Sequence, residues 1–317
     1  VEQNKAMPEG FNPAVSPSAP IANPELGVAF ADGQFIPAGD ATISVFDFGF
    51  TRSDVTYDVV HVFDNKFFRL NHHLDRFEAS MAALRYKIPY DREGIRAIVK
   101  ECVRRTGLKD AWVGLVCTRG RPPKNSRDPR TCENRFIAYA VPPVWIADLE
   151  KQKTGLNVVI ASTIRIPAES VDPRVKNYHW LDMVRGLYEG YDRGADTVVL
   201  LDFQGNVTEG PGFNVFAVTN GKVLTPDFGM LEGITRQTIL DLCAKLDVPC
   251  EVRKVSADEF READEVFITS TSGGVMPVTR FEGRILGNGV PGPVTTRLRE
   301  TYWAWHNEAA ETEPVHS

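Results

Sequence analysis

The chain has 317 residues, 43% of them hydrophobic and 25% charged, which is long enough for one large or two medium domains with their own cores. A formal net charge of −6 argues against a nucleic-acid-binding surface, because a phosphate backbone selects clustered Lys and Arg. No apolar run approaches the roughly 18–20 residues needed to cross a bilayer. The five cysteines, Cys102, Cys117, Cys132, Cys243 and Cys250, are never spaced as CxxC, so neither a disulfide framework nor a zinc site is expected and free thiols in a reducing cytoplasm are the simplest reading.

Residues 1–25 are polar and proline-rich, with Pro8, Pro13, Pro17, Pro20 and Pro24, and no basic stretch leads into an apolar one. An extended arm, either draped on a partner or disordered, and no secretory signal are the expectations there. Val28-Ala29-Phe30 and Phe35-Ile36 flank Asp32-Gly33, which reads as a hairpin. Asp54 to Phe63 is rich in Val, Tyr and Phe and turns at Asp64-Asn65 into Lys66–Leu70. A helix is expected over His72–Leu84, from Leu74, Phe77, Met81 and Leu84, and another over Asp91–Thr106, ending at Gly107. Strands at Ala111–Thr118 and Arg135–Val141 complete a first unit over 26–141.

Pro142-Pro143 breaks the chain and opens a linker over 142–155; a larger unit follows over 156–317. Its expected strands are Leu156–Ala161, Thr197–Leu201, Phe213–Thr219, Lys222–Leu224 and Val266–Thr269, with Asn220-Gly221 as a hairpin turn. Its expected helices are Trp180–Asp192, Ile234–Leu246 and Val294–His306. Strands and helices without a regular βαβ rhythm imply α+β architecture.

Five segments carry candidate chemistry, and each has an ordinary reading too. Lys176, in Pro173-Arg174-Val175-Lys176-Asn177-Tyr178, is a surface residue or a lysine in a pocket walled by Tyr178 and Trp180. Glu209 in Thr208-Glu209-Gly210-Pro211-Gly212-Phe213-Asn214 is an exposed turn residue, or a carboxylate aimed at a flat ligand that the glycines let approach. Gly233-Ile234-Thr235 opens a helix, so its amides form an anion site or Thr235 is a plain N-cap. Thr269-Ser270-Thr271-Ser272-Gly273-Gly274 follows a strand, as a simple loop or a phosphate-binding one. Arg76 flanks the apolar face of its helix and can reach a buried phosphate; a metal site from His72, His73 and Asp75 is not expected, because adjacent histidines diverge on a helix.

Taken together and in this order, these segments resemble the class IV aminotransferases, a group that includes branched-chain and D-amino-acid aminotransferases, aminodeoxychorismate lyases and (R)-selective amine transaminases. The likeness runs from about residue 26 to 307 and rests on the Arg69–Arg76 stretch, Lys176, Glu209–Asn214, Leu231–Arg236 and Thr269–Val278. It is nearest to (R)-selective amine transaminases, through Ser44–Thr51, Ser53-Asp54, Thr56-Tyr57, Val175-Lys176-Asn177 with Trp180, and Gly289–Thr295. The resemblance implies a two-domain, fold-type IV α+β enzyme with its active site between the domains, and pyridoxal 5'-phosphate as cofactor. It implies Lys176 as the Schiff-base lysine and Glu209 as partner of the pyridine nitrogen. Arg76, the Ile234 and Thr235 amides, Ser270 and Thr271 would hold the phosphate. Small-molecule amine and keto acid substrates, and a homodimer with sites at the interface, are implied as well.

For the substrate, alternation along Asp54–Phe63 puts Tyr57, Val59, His61 and Phe63 on one face and Asp58, Val60 and Val62 on the other. Tyr57, with Val60 and His61 behind it, is the expected substrate contact, joined by Trp180 and Ser272. Two departures from the amine transaminases bear on the carboxylate of the substrate. Arg52 stands where they carry a histidine, and their mobile arginine loop is rewritten as Arg119–Arg127, with Arg127 favoured over Arg121 and Arg130 by its place in the loop.

Overall fold

The computed structural model describes residues 27–316, so the expected N-terminal arm over 1–25 lies outside the described residues. Two β-sheets, each covered by helices, face each other across a cleft. In chain order the first part forms β1 (Val28–Ala31), β2 (Gln34–Pro37), α1 (Phe48–Arg52), β3 (Val55–Phe63), β4 (Lys66–Phe68), α2 (Leu70–Ala83), α3 (Arg92–Thr106), β5 (Ala111–Thr118) and β6 (Arg135–Val141). The second part forms α4 (Lys151–Thr154), β7 (Leu156–Ile164), α5 (Leu181–Asp192), β8 (Thr197–Leu201), β9 (Asn214–Thr219), β10 (Lys222–Thr225), α6 (Ile234–Lys245), β11 (Cys250–Val252), α7 (Ala257–Glu262), β12 (Glu265–Ser270), β13 (Gly274–Phe281), β14 (Arg284–Ile285), α8 (Pro293–Trp305) and β15 (Thr312–Pro314).

The first sheet runs β15-β4-β3-β5-β6-β1-β2 and the second β11-β10-β9-β12-β13-β7-β8, with β14 paired to β13. β15 pairs antiparallel with β4, so the end of the chain returns to the first sheet. A division into 26–141 and 156–317 therefore leaves this strand on the wrong side. The backbone of Lys66–Phe68 offers a free edge there, which a distant tripeptide fills.

Alternation on β3 decides where the cleft lies. Val60 and Val62 point into a core with Leu74 and Phe77 of α2 and Ile95, Ile98 and Val99 of α3. Tyr57 and Val59 point the other way, into a cluster with Val116 and Ile137 against which Trp112 and Tyr139 pack. Burying a side chain such as Phe77 contributes about 1.5–3 kcal/mol. The helices start and stop on local chemistry: Asp91 caps α3 by accepting from the Gly94 amide at 2.8 Å, and Gly107 ends it at φ 69°.

On the second sheet, Ile239 and Leu242 of α6 and Leu298, Tyr302 and Trp305 of α8 pack on Phe216, Val218 and Phe267. Phe68 of β4 joins that cluster and ties the sheets together. α5 covers β7 and β8 through Met183, with Gly186 and Gly190 buried against the sheet. A Cβ on Gly190 would sit 2.4 Å from Val198 Cγ1, so only glycine allows that approach.

Candidate active site

A cavity of about 350 Å³ lies between the sheets, walled by both. It collects Tyr57, Arg76, Lys176, Trp180, Glu209, Ile234, Thr235, Ser270, Thr271 and Ser272, ten of the fourteen site residues expected from sequence. Segments as distant as residues 57 and 272 meet here because β3 runs along the cleft, while β9 and β12 of the other sheet end at it.

Lys176 sits in the stretch before α5 and is fastened to β3. Its carbonyl accepts from the Tyr57 amide at 3.1 Å and from the Thr56 hydroxyl at 2.7 Å. Its amine lies 4.5 Å from the Tyr57 ring centroid, and Tyr57 stacks on Tyr178 at 4.2 Å. Burial and the nearby Arg76 charge push the lysine down to about 8, against the pull of Asp58 and Glu209. A lysine so placed is partly free base at neutral pH.

Glu209 is 5% exposed. One of its oxygens accepts from Arg165 Nε at 3.1 Å and the other from the Leu231 amide at 2.9 Å. Arg165 is held in turn by Asp182 at 2.6 Å. Burial raises the proton affinity of Glu209, while Arg165, the Leu231 amide and Lys176 oppose it. The carboxylate is thus set to face a buried cation.

At the other end, Arg76 gives Nε and Nη2 to Asp58, at 2.7 and 2.9 Å, and Nη1 to the Glu232 carbonyl at 3.1 Å. Asp58 also accepts from His73 Nδ1 at 2.8 Å. Burial disfavours the charge on Asp58, but Arg76 and His73 outweigh it and hold the carboxyl well below the usual carboxylate range. Beside Arg76, α6 begins at Gly233 with no side-chain cap, so its first amides stay available for an anion. A Cβ on Gly233 would come within 2.0 Å of Asn214 Oδ1. The Thr269 hydroxyl, on the same wall, is buried without a hydrogen-bond partner among the described residues. Together these donors suit a flat, cationic heteroaromatic group that carries a phosphate.

Four expected substrate residues lie elsewhere in the single chain. Val60 points away from the cleft into the core of the first sheet, because alternation puts it opposite Tyr57. His61 is turned to the Thr271 carbonyl, at 3.0 Å, and to His306, at 2.6 Å, rather than into the cavity. Arg52 lies 3.5 Å over the Phe48 ring and reaches the Arg127 carbonyl at 3.4 Å. Both Arg52 and Arg127 are exposed outside this cavity. Sequence reasoning missed Asp58, Arg165, Asp182 and Trp112. Asp58 carried a usable signal, a carboxylate inside the apolar run Val55–Val62.

The family model of amino-transferase class IV matches residues 56–281. The branched-chain-amino-acid aminotransferase of Pseudomonas aeruginosa is 30% identical over 283 residues, covering 87% of this chain and 92% of the relative. A D-alanine aminotransferase from Staphylococcus haemolyticus is 28% identical over 276 residues, 86% and 95% of the two chains. The crystal structure of the branched-chain amino acid aminotransferase from Thermobaculum terrenum in its PLP-form superposes with a TM-score of 0.81 at 25% identity, covering 92% of this chain and 99% of that one.

Proposed function

The chain belongs to the class IV aminotransferases, and on that premise we propose that it moves an amino group from an (R)-amine or D-configured donor to a keto acid such as pyruvate. It is an aminotransferase of the fold-type IV architecture, and pyridoxal 5'-phosphate is its cofactor. The cavity fits that group: a buried carboxylate for a ring cation, a lysine with lowered proton affinity, and a phosphate end built from Arg76, the uncapped α6 amides and the unpartnered Thr269 hydroxyl.

In this reading Lys176 carries the cofactor and Glu209 pairs with its ring nitrogen. Arg76, the Ile234 and Thr235 amides, Ser270 and Thr271 hold its phosphate. Bound there, the cofactor supplies an electron-withdrawing ring that absorbs the charge left when the substrate α-carbon loses a proton. Lys176 Nζ, part free base near neutral pH, takes that proton and returns it one position away. Arg165 favours the charged form of Glu209 against the upward push of burial, and Asp58 orients Arg76.

The donor reading rests on one observation: among the described residues two guanidiniums line the cavity, Arg165 paired with Glu209 and Asp182, and Arg76 paired with Asp58 and assigned here to the phosphate, which leaves neither for a donor carboxylate. Beside polar Asn177 and Asn214, an aromatic and apolar wall is formed by Tyr57, Val59, Trp112, Trp145 and Trp180. Such a wall favours an apolar amine over a donor carboxylate. The keto acid's carboxylate is then met by Arg52 or Arg127 of a second copy. A homodimer is supported by the exposed apolar stripe Leu181, Val184, Tyr188 and Tyr191 on α5, and by exposed Phe46 and Phe50 near Arg52. Among the described residues no helix is long and apolar enough to cross a membrane, and the five cysteines are free thiols, which suits a reducing cytoplasm.

A second reading, a branched-chain-amino-acid aminotransferase acting on an L-donor, is favoured by the name of one relative, while the D-alanine aminotransferase relative fits the D-configured donor of the first. Turnover of (R)-1-phenylethylamine, its (S)-enantiomer, D-alanine and L-leucine, each with pyruvate and with 2-oxoglutarate, separates the two. The (R)-amine with pyruvate is expected to be fastest; a preference for L-leucine with 2-oxoglutarate overturns the (R)-amine reading.

A further inference from the structure

Two histidines, His61 half-buried and His306 buried, take no part in the chemistry above. His61 lies on β3, and His306 follows the last turn of α8. Their Nε2 atoms are 2.6 Å apart, their ring planes within 10°, and their centroids 4.9 Å apart. That centroid separation is the Nε2···Nε2 contact plus a ring radius at each end. The rings therefore lie edge to edge in one plane, the geometry of an N–H···N hydrogen bond and not of a stack.

The outer nitrogens are engaged as well. His61 Nδ1 is 3.0 Å from the Thr271 carbonyl oxygen, and His306 Nδ1 is 3.0 Å from that of Tyr302. A carbonyl oxygen only accepts, so each Nδ1 must bear a proton. The central contact needs a third. Two neutral imidazoles bring two protons between them, one fewer than the three contacts require.

We propose that His61 and His306 share one extra proton between their Nε2 atoms, and that this cationic pair is a strut positioning the Thr271 loop at the phosphate end of the cavity. The second half rests on the reading of Thr271 as a phosphate contact. The loop's flanking residues are already fixed: Ser270 donates to the Gly212 carbonyl at 2.9 Å, and Trp112 Nε1 donates to the Ser272 hydroxyl at 2.7 Å. His61 adds a hold on the middle residue from β3, so the first sheet braces the loop from β3 and β5 together.

The surroundings accommodate a single delocalised charge. His306 stacks on Phe68 at 3.9 Å, with Trp303 at 4.9 Å and Phe63 at 5.7 Å, and aromatic faces attract a cation. The titratable and charged neighbours are His73 on α2, bonded to Asp58, the Tyr302 hydroxyl on α8, and Arg69 at the start of α2, paired with Asp241 and Glu311. Burial lowers the proton affinity of both rings, and a charge on His306 lowers that of His61 further. These effects would hold His61 down at about 3 and His306 at about 4, so the one extra proton is kept by the short Nε2···Nε2 contact and the aromatic faces against that burial; a second is refused, and rising pH removes the one held.

The test uses holoenzyme labelled with ¹⁵N-histidine. Long-range ¹H–¹⁵N spectra between about pH 5.5 and 9 count protonated nitrogens in the pair, and the rate of pyridoxal-phosphate loss is followed over the same range. Three protonated nitrogens of four at the acid end, falling to two in one step, are expected, with cofactor loss about tenfold faster above that step. The step in cofactor loss should vanish in His61→Gln and His306→Gln. Two protonated nitrogens at every pH overturn the shared proton, and this count needs no variant. A count of three with a flat release rate overturns the strut and places the failure in the role given to Thr271.

Discussion

Tyr57 and Lys176 hold each other at two levels: the tyrosine amide donates to the lysine carbonyl at 3.1 Å, and the lysine amine lies 4.5 Å from the tyrosine ring centroid. The first contact is made by the backbone, so replacing Tyr57 by Leu or Phe leaves it in place and reads the contacts of the side chain. Tyr57→Leu loses the cation–π contact and the stack on Tyr178, each about 0.5–1.5 kcal/mol. A fall of roughly tenfold in kcat/KM is expected for Tyr57→Leu, and less than about threefold for Tyr57→Phe. Equal losses in the two variants would show that the hydroxyl, not the ring, is what matters.

The lowered proton affinity of Lys176 sets a pH dependence whose sign can be worked out. With a value of about 8 in the folded chain, about a tenth of the amine is free base at pH 7, against a few parts in ten thousand for an unperturbed lysine. Covalent capture of pyridoxal phosphate by apoenzyme should accelerate about tenfold per pH unit below pH 8 and level off above it. Stopped-flow absorbance reads this directly. In the apoenzyme the folded state has lost this proton while the unfolded chain keeps it between about pH 8 and 10.5, so Lys176 adds stability as pH rises through that window.

Breaking the Arg165–Glu209 pair tests whether the arginine keeps the carboxylate charged. Arg165→Met leaves Glu209 and Asp182 buried beside an apolar side chain, a change expected to cost about 3–5 kcal/mol of stability. Glu209 should then take up a proton, and the absorption band of bound cofactor should shift with a new titration. Arg165→Lys restores one charge and should recover part of both effects. Urea unfolding and a spectroscopic pH titration report them separately.

Much of this site was legible because its chemistry is carried by short segments. Lys176, Glu209 and Gly233–Thr235 are each ambiguous alone and gain weight only from their order along the chain, and they converge on one cavity. The ends of elements were legible too, since Gly107 and Asn220-Gly221 act locally. What distance decides was not. β13 is absent from the expected strands; Gly274–Phe281 carries Pro277, a residue that disfavours an internal strand, yet it lies between β12 and β7. Val60 was placed in the pocket against its own alternation, and His61 was assigned to the substrate because nothing near it in sequence announces His306. Arg165, absent from the expected site, has Asp182 and Glu209 on either side of it, neither of them near it in sequence.

Asp58 should matter to both stability and the phosphate end, and acid separates the two. Its carboxylate is fully buried and accepts from Arg76 and His73, which hold its proton affinity below that of an unfolded aspartate despite burial. A carboxylate lowered in this way contributes stability in full above the unfolded value of about 3.9, and loses it as pH falls below that. Asp58→Asn keeps the shape but removes the charge, leaving Arg76 without its buried partner. A cost of about 3 kcal/mol is expected at pH 7. That deficit should narrow as pH falls below about 4, since the wild-type chain is then losing the same contribution. Cofactor affinity should fall about tenfold, because Arg76 loses the two-point hold that aims it. Urea midpoints at pH 7, 5 and 3.5, with pyridoxal-phosphate titration of the apoenzyme at pH 7, check both halves. A variant as stable as wild type at pH 7 would mean that His73 and the Glu232 carbonyl alone suffice to hold this corner.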